Sequence, residues 1–125
     1  MVTTINPVVH CRDLEAGARF LVDAFGFVQH EAHKADDGSV PYVELSLDGA
    51  PLGLGAHTAG SMFDTGPAVV YISLDEVDSM HGRALAAGAE ILMAPTDQDY
   101  GSRDLVAKDH EGNVWCFGRT YQPGG

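Results

Sequence analysis

The segment EGNVWCFG, Glu111–Gly118, repeats the pattern of an earlier segment, Asp48–Gly55, which reads DGAPLGLG. The two segments begin 63 residues apart, at positions 48 and 111, and the same interval separates Asp13 from Glu76. Because a unit of this length holds a helix and several strands, the repeat is typical of a duplicated supersecondary unit and not of a solenoid. The repeat therefore predicts two similar modules joined in tandem.

Apolar runs bounded by turn residues predict eight short strands, four in each half of the chain. The runs lie at residues 5–11, 27–34, 41–47, 52–56, 68–74, 91–93, 104–108 and 114–119. Helical spacing of apolar residues follows the first run, where Asp13 is placed to cap a helix and Gly26 to end it. A second helical segment follows the fifth run and ends at Gly88. The order of elements is βαβββ twice, with residues 57–66 as a connecting loop.

The length of 125 residues suits a single domain, residues 1–125, in which the first βαβββ module spans 4–57 and the second spans 66–120. A hydrophobic fraction of 45% and a charged fraction of 20% are typical of a soluble globular protein. The N-terminal sequence has no basic start followed by an apolar run. We therefore expect a cytoplasmic protein in which Cys11 and Cys116 are free thiols.

The chain is acidic, with 18 Asp and Glu residues against seven Lys and Arg residues and a formal charge of −11. Such a charge repels phosphate backbones and anionic lipids, so nucleic acid and membrane are not expected partners. Two interpretations of the charge remain open. It favours capture of a cationic small molecule, or it serves only to keep the protein in solution.

Two motifs resemble the vicinal oxygen chelate superfamily, which groups glyoxalase I, extradiol dioxygenases, fosfomycin-modifying enzymes and bleomycin-resistance proteins. VVHCRDLEAGARFLVDAFGF, at 8–27, is similar to the family's first strand, aspartate and helix. DHEGNVWCFG, at 109–118, is similar to its turn before the last strand, and DYGSRD, at 99–104, resembles a bleomycin-resistance subgroup. The resemblance implies an α+β fold in which two βαβββ modules form a curved mixed-sheet cup, with a homodimer as the expected assembly.

Metal-dependent members of this family hold a divalent ion with four side chains, two from each module. The resemblance places the corresponding positions at Asn6, Gly53, Val69 and Cys116. Valine and glycine side chains offer no ligand atom, whereas an ion that is open to substrate needs about three protein ligands. We therefore expect no metal and no other cofactor. His10 and Glu44, one pleat further along their strands, are the remaining route to a metal site.

Period-two alternation predicts which residues face the cup. The predicted inward residues are Asn6, Val8, His10, Tyr42, Glu44, Ser46, Val69, Tyr71, Ser73, Leu105, Ala107, Val114, Cys116 and Gly118. The core then receives Trp115 and Phe117. Such a lining of rings, small residues and a few polar groups suits the stacking and hydrogen bonding of a planar ligand.

Nine residues are the candidate ligand-binding set. They are Asn6, His10, Tyr42, Glu44, Phe63, Tyr71, Tyr100, Arg103 and Cys116. The four aromatic residues stack on a ligand, or they fill space or seal a dimer seam. Glu44 and His10 transfer a proton or pair with a charged ligand, or they are structural side chains whose hydrogen bonds are made within the protein.

Cys116 and Arg103 each have two interpretations. Cys116 is a nucleophile if a histidine lowers the pKa of its thiol, and otherwise a buried inert thiol. Arg103 clamps an anionic group, or it holds its own loop to Asp99 or Asp104. The loop-holding role is the prediction for Arg103, and the inert thiol is the prediction for Cys116.

The resemblance implies a metal-free protein that sequesters a small aromatic or cationic natural product, such as an antibiotic, without chemistry. A metal-independent lyase, isomerase or hydrolase-like enzyme is the alternative, with Glu44 or His10 as its acid or base. A metal-dependent glyoxalase or dioxygenase is the third possibility, and the four replaced ligand positions argue against it. A homodimer is expected because an open curved sheet has edges to cover.

Overall fold

A computed structural model describes residues 3–33, 36, 42–99 and 101–118. Its elements, in chain order, are β1 (Val8–Cys11), α1 (Leu14–Phe25), β2 (Val28–His33), β3 (Tyr42–Leu47), β4 (Ala50–Ala56), β5 (Val69–Ser73), α2 (Val77–Ala86), β6 (Glu90–Asp97), β7 (Arg103–Lys108) and β8 (Val114–Gly118). The chain divides between Pro67 and Ala68 into two compact units, the N-terminal unit and the C-terminal unit. The predicted α+β fold of two tandem βαβββ modules is confirmed.

The N-terminal unit is a four-stranded mixed sheet with α1 on one face. Its strand order is β1-β4-β3-β2, in which only β1 and β4 are parallel among the described strands. The Asp13 side chain accepts a hydrogen bond from the Ala16 backbone N–H at 3.1 Å, and Gly26 ends the helix with a positive φ of 81°. Both predicted caps of α1 are therefore confirmed. The helix buries its apolar side against Val9, Val43, Leu45, Leu52 and Leu54.

The C-terminal unit has the same topology, with strand order β5-β8-β7-β6 and a parallel β5–β8 pair. In its core Leu105 pairs with Phe117 and Ala107 with Trp115, and all four side chains are fully buried. The prediction that Leu105 and Ala107 line the cup is therefore wrong. Three consecutive apolar residues, 105–107, carry no alternation, so the sequence did not distinguish the two faces of β7.

The turn before β8 is organised by one carboxylate, that of Asp109. It accepts hydrogen bonds from the backbone N–H groups of Glu111 and Asn113, both at 2.9 Å. It also accepts from the Asn113 side-chain amide at 3.1 Å and from the indole N–H of Trp115 at 2.9 Å. Asn113 in turn accepts from the backbone N–H of Ala68 at 2.8 Å. The turn therefore fixes both the core tryptophan and the entry into β5.

The largest differences from the predicted strand bounds are in β1 and β6. β1 begins at Val8 and not at residue 5, and β6 extends to Asp97, well beyond the predicted 91–93. β6 contains Pro95 and two register shifts against β7, and it is an edge strand, where proline is tolerated. No helix among the described residues has the length and apolar character needed to cross a bilayer.

Candidate functional site

Each sheet has an open face, defined here as the face opposite its helix. In the N-terminal unit the open face carries Val8, His10, Tyr42, Glu44, Ser46, Gly53 and Gly55. The Tyr42 ring lies over Gly53, where an added Cβ would come within 2.8 Å of Tyr42 Cε2. The His10 ring lies over Gly55 in the same way, 3.1 Å from the added Cβ. Two glycines in β4 thus leave room for two aromatic rings to lie against the sheet.

Three predicted site residues, His10, Tyr42 and Glu44, therefore share this open face. Glu44 is exposed and pairs across the ladder with Gly53, while His10 and Tyr42 are half-buried. The edge of the same unit holds a further polar contact, 2.6 Å between His30 Nε2 and Ser46 Oγ. A ring surface beside a carboxylate and imidazoles can stack on a planar ligand and accept or donate hydrogen bonds.

Phe63 lies on the loop that follows β4 and is 63% exposed, beside Met62. Asp64 closes this loop, because its carboxylate accepts from the Gly60 N–H at 2.9 Å and contacts His57 Nε2 at 2.7 Å. The hydrogen bond from Gly60, then that from His57, lowers the pKa of Asp64 below its ordinary value, and His10 adds a smaller effect. Phe63 therefore lies exposed on a loop that the contacts of the Asp64 carboxylate close.

The C-terminal open face carries Val69, Tyr71, Ser73, Asp104, Val106, Val114, Cys116 and Gly118. Its polar centre is Asp104, which is only 6% exposed. Asp104 Oδ1 accepts hydrogen bonds from the Tyr71 hydroxyl at 3.2 Å and the Ser102 hydroxyl at 2.5 Å. A Cβ at Gly118 would collide with Asp104 Oδ1 and Tyr71 Oη. Glycine at 118 is therefore what lets the buried carboxylate and the tyrosine meet.

Cys116 lies beside this carboxylate on β8. Burial, and then the charge of Asp104, raises the pKa of the Cys116 thiol. A raised pKa keeps the group as the neutral thiol near pH 7, and the thiolate is the nucleophilic form. The environment therefore favours the inert thiol over the nucleophile.

Arg103 is held by two carboxylates. Its guanidinium donates to both oxygens of Asp78, at 3.0 and 3.2 Å, and to Asp97 at 3.0 Å. These hydrogen bonds raise the pKa of Arg103, and those that it donates to Asp78 have the larger effect. The predicted partners, Asp99 and Asp104, are wrong, because the side chain reaches the start of α2 and the end of β6. Its fixed pairing favours a holding role over an anion clamp.

The residues at the four family metal positions do not fit a metal. Asn6 precedes β1, is exposed, and donates to the Thr4 hydroxyl at 3.2 Å. The position on β4 is Gly53, which has no side chain, and that on β5 is Val69, which has no ligand atom. Cys116 offers a single sulfur, and one such side chain cannot by itself hold an ion that needs about three protein ligands. Within residues 3–33, 36, 42–99 and 101–118, no group of three His, Cys, Asp or Glu residues is placed to hold an ion.

Sequence reasoning missed Asp104 and Ser102, and it proposed one residue, Tyr100, that lies outside the described residues. A signal for Asp104 was present in the repeat. Gly118 matches Gly55 at the 63-residue interval, and an inward glycine marks a place where a neighbouring side chain crosses the strand. If the side chain that crosses Gly118 had been sought on the neighbouring strand, β7, Asp104 would have been predicted on the open face.

Three comparisons place these features among known proteins. A family model described as the Glyoxalase/Bleomycin resistance protein/Dioxygenase superfamily matches residues 4–117. A Mycobacterium tuberculosis H37Rv protein whose name states no activity is 27% identical, over 92% of this chain and 73% of its own length.

Two solved structures are similar in fold. TioX from Micromonospora sp. ML1 has a TM-score of 0.81 at 24% identity, covering 96% of this chain and 100% of its own. A glyoxalase/bleomycin resistance protein/dioxygenase family enzyme from Burkholderia phytofirmans PsJN has a TM-score of 0.68 at 23% identity, covering 93% and 97%. Identities this low show the shared fold alone, because one fold hosts many activities. Since the family model covers nearly the whole described fold, the chain belongs to the Glyoxalase/Bleomycin resistance protein/Dioxygenase superfamily.

Proposed function

We propose that the protein is a metal-free binding protein that sequesters a small aromatic or cationic natural product, such as an antibiotic, and releases it unchanged. The observation that carries the proposal is the Tyr42 ring lying over Gly53. At the position where a metal-dependent relative has a ligand, this chain has a glycine, and an aromatic ring fills the space. The site has thus the character of a stacking surface.

The physical requirements of sequestration match the open faces. Removing a drug by mass action needs tight binding and no chemistry, so rings, apolar side chains and fixed polar groups suffice. Tyr42 and Tyr71 supply planar surface, one in each unit. The formal charge of −11 draws a cationic ligand toward the protein. The bleomycin-resistance proteins that share the family name are the model for this role.

A homodimer is part of the proposal. Among the described strands, the sheet edges are β1 and β2 in one unit and β5 and β6 in the other. Several large apolar side chains on or near these edges are exposed. They are Ile5, Val8, Val28, Val69 and Leu92. Covering them in a symmetric assembly removes apolar surface from water. Sedimentation equilibrium tests this point, and a monomer at ligand-binding concentrations contradicts it.

The test of the function is a binding and recovery experiment. A panel of natural products that includes bleomycin is titrated by calorimetry, and each bound compound is then extracted and examined by mass spectrometry. Saturable binding with recovery of the unchanged compound supports sequestration. Recovery of a modified compound contradicts it and supports the metal-independent lyase or isomerase. If no panel member binds at about 100 µM, their dissociation constants lie above that concentration. Binding this weak is not sufficient for sequestration.

The variant Tyr42→Ala locates the binding surface. Removing the ring deletes the stacking contact, and we expect the dissociation constant to rise about 10-fold, equivalent to about 1.4 kcal/mol. Leu85→Ala is the matched control, because Leu85 is an exposed residue of α2, outside the open faces. An unchanged dissociation constant in Tyr42→Ala would remove the N-terminal open face from the proposal.

A further inference from the structure

We infer that Ser46 and His30 form a nucleophile–base pair that takes an apolar acyl group from an ester onto the Ser46 hydroxyl. The pair lies in the N-terminal unit, on the antiparallel strands β2 and β3. Ser46 Oγ and His30 Nε2 are 2.6 Å apart, which is within the reach that a base needs to take a proton from a hydroxyl. His30 is exposed and Ser46 is half-buried. The inference goes beyond the proposed function and does not depend on it.

A β-bulge in β2 accompanies the contact between the two side chains. The three steps along β2 from Gln29 to Ala32 match only two steps along β3. One extra residue therefore lies between these two, where His30 is. Bulges are common next to active sites, where they redirect a side chain. The ladder partner of Ser46 is Val28, so His30 reaches the serine diagonally and not as its direct partner.

Apolar side chains flank the nucleophile on both sides. Ser46 pairs with Val28 on β2 and with Pro51 on β4. Val28 is 55% exposed, and Pro51 is also exposed. Because residues that pair directly across strands lie about 4.5–5.5 Å apart at their Cβ atoms, both side chains border the hydroxyl. Burial of this surface favours an apolar acyl group, and the formal charge of −11 disfavours an anionic ester.

The reaction is an ester hydrolysis in two steps. Ser46 Oγ bonds to the carbonyl carbon while its proton passes to His30 Nε2, which requires the ring proton to begin on Nδ1. The bond from the carbonyl carbon to the alcohol oxygen breaks, and the leaving alcohol takes the proton from His30. In the second step the same nitrogen takes a proton from water, whose oxygen attacks the acyl group. The carboxylic acid leaves, and the Ser46 hydroxyl is restored.

The first test is covalent labelling of the full chain by an octyl fluorophosphonate. A serine oxygen displaces fluoride from the phosphorus and forms a stable adduct, which peptide mass spectrometry locates. We expect Ser46 to be labelled at least about 100-fold faster than Ser79, an exposed serine of α2, because a positioned base contributes about 10²–10⁴-fold. Equal rates at the two serines would overturn the inference.

Variants of His30 separate a base from a structural partner. His30→Gln retains a side chain that can hydrogen-bond Ser46 but cannot take its proton, so labelling of Ser46 should slow about 100-fold. In His30→Ala, added imidazole should restore part of the rate, because the position is exposed. His81→Gln, the control on α2, should leave the rate unchanged. An unchanged rate in His30→Gln, or a loss in His30→Ala that imidazole does not restore, would overturn the inference.

Ester cleavage tests the whole cycle. The chain is incubated with p-nitrophenyl octanoate, and the release of p-nitrophenolate is followed by absorbance. Release by the native chain should exceed that by Ser46→Ala at least about 10-fold, with Ser79→Ala as the unchanged control. Equal release by the native chain and Ser46→Ala would mean that other groups cleave the ester, and it would overturn the inference.

Failure of this inference and failure of the proposed function are distinguishable. If panel compounds bind and are recovered unchanged while Ser46 is labelled no faster than Ser79, the pair is not a nucleophile and base, and sequestration stands. If Ser46 is labelled through His30 but no panel compound binds, the pair stands and sequestration fails.

Discussion

The two units share one topology but differ in what crosses the centre of the open face. In the N-terminal unit the rings of Tyr42 and His10 lie over the glycines of β4. In the C-terminal unit the corresponding strand, β8, carries Cys116 and one glycine, Gly118, and a buried carboxylate takes the place of the rings. A duplicated scaffold therefore presents an aromatic surface in one unit and an acidic, partly covered one in the other.

The repeat constrains the buried face of each sheet and leaves its open face free to vary. The alternation of core residues and the strand order are the same in both units, because each sheet must bury one face under its helix. The open face carries no such requirement. There, the presence of a glycine decides which neighbouring side chain can cross a strand. Four experiments test this account of the two units, beginning with the largest expected effect.

The turns before β4 and β8 give the largest difference. Asp109→Asn turns an acceptor oxygen into a donor that faces the N–H groups of Asn113 or Trp115, and we expect a loss of about 3 kcal/mol in the free energy of unfolding. Asp48→Asn, in the two-residue turn before β4, is expected to change stability by less than about 0.5 kcal/mol. Asp48 has a positive φ of 51°, which asparagine also adopts. Urea unfolding measures both, and equal losses would contradict the distinction.

The glycines on β4 and β8 give the next difference. A methyl group at Gly118 collides with the buried Asp104 carboxylate, so Gly118→Ala is expected to cost about 2 kcal/mol. Gly55 occupies the same repeat position, but an added methyl there lies 3.1 Å from the half-buried His10 ring, which can shift. Gly55→Ala is therefore expected to cost less than about 1 kcal/mol. Thermal unfolding ranks the stability of the two variants. The reverse order would show that the N-terminal open face is packed more closely around its glycine than the C-terminal one.

The charge on the C-terminal open face is tested through Cys116. Burial and then the charge of Asp104 raise the pKa of this thiol, so Asp104→Asn removes the second cause and lowers the pKa. The measurement is the rate of alkylation of the Cys116 peptide by iodoacetamide as a function of pH. A lower pKa gives faster alkylation near neutral pH than in the native chain. An unchanged profile, with Glu76→Gln as control, would mean that Asp104 is not charged beside the thiol.

The loop after β4 gives the smallest effect. The pKa of Asp64 is lowered by the Gly60 N–H and then by His57, so its contacts stabilise the loop above the ordinary aspartate pKa of about 3.9. They are lost as the pH falls through the lowered pKa. The protection of the amides of residues 58–65 against hydrogen exchange, corrected for the intrinsic rate at each pH, should therefore fall in strong acid, and Asp64→Asn should lower it already at pH 7. Identical exchange in the variant at pH 7 would contradict this.

The sequence predicted the scaffold more fully than the site. Helix caps at Asp13 and Gly26 and the 63-residue correspondence follow from local chemistry, and they hold. The partners of Arg103 were predicted wrongly, because a long side chain reaches residues that only the tertiary fold brings near. The face of β7 was also predicted wrongly, because its apolar run has no alternation. Asp104 therefore emerged only when the register between β7 and β8 was known.

The four family metal positions are filled by residues that cannot hold a metal, and we propose that the open faces bind an organic ligand instead. The most direct measurement is the metal content of the full chain, purified without chelators and then dialysed against nickel, zinc, iron and manganese in turn, by inductively coupled plasma mass spectrometry. We expect less than about 0.1 ion per chain after each dialysis, since about three ligands are needed and these positions offer fewer. One ion per chain retained for any of the four metals would contradict it.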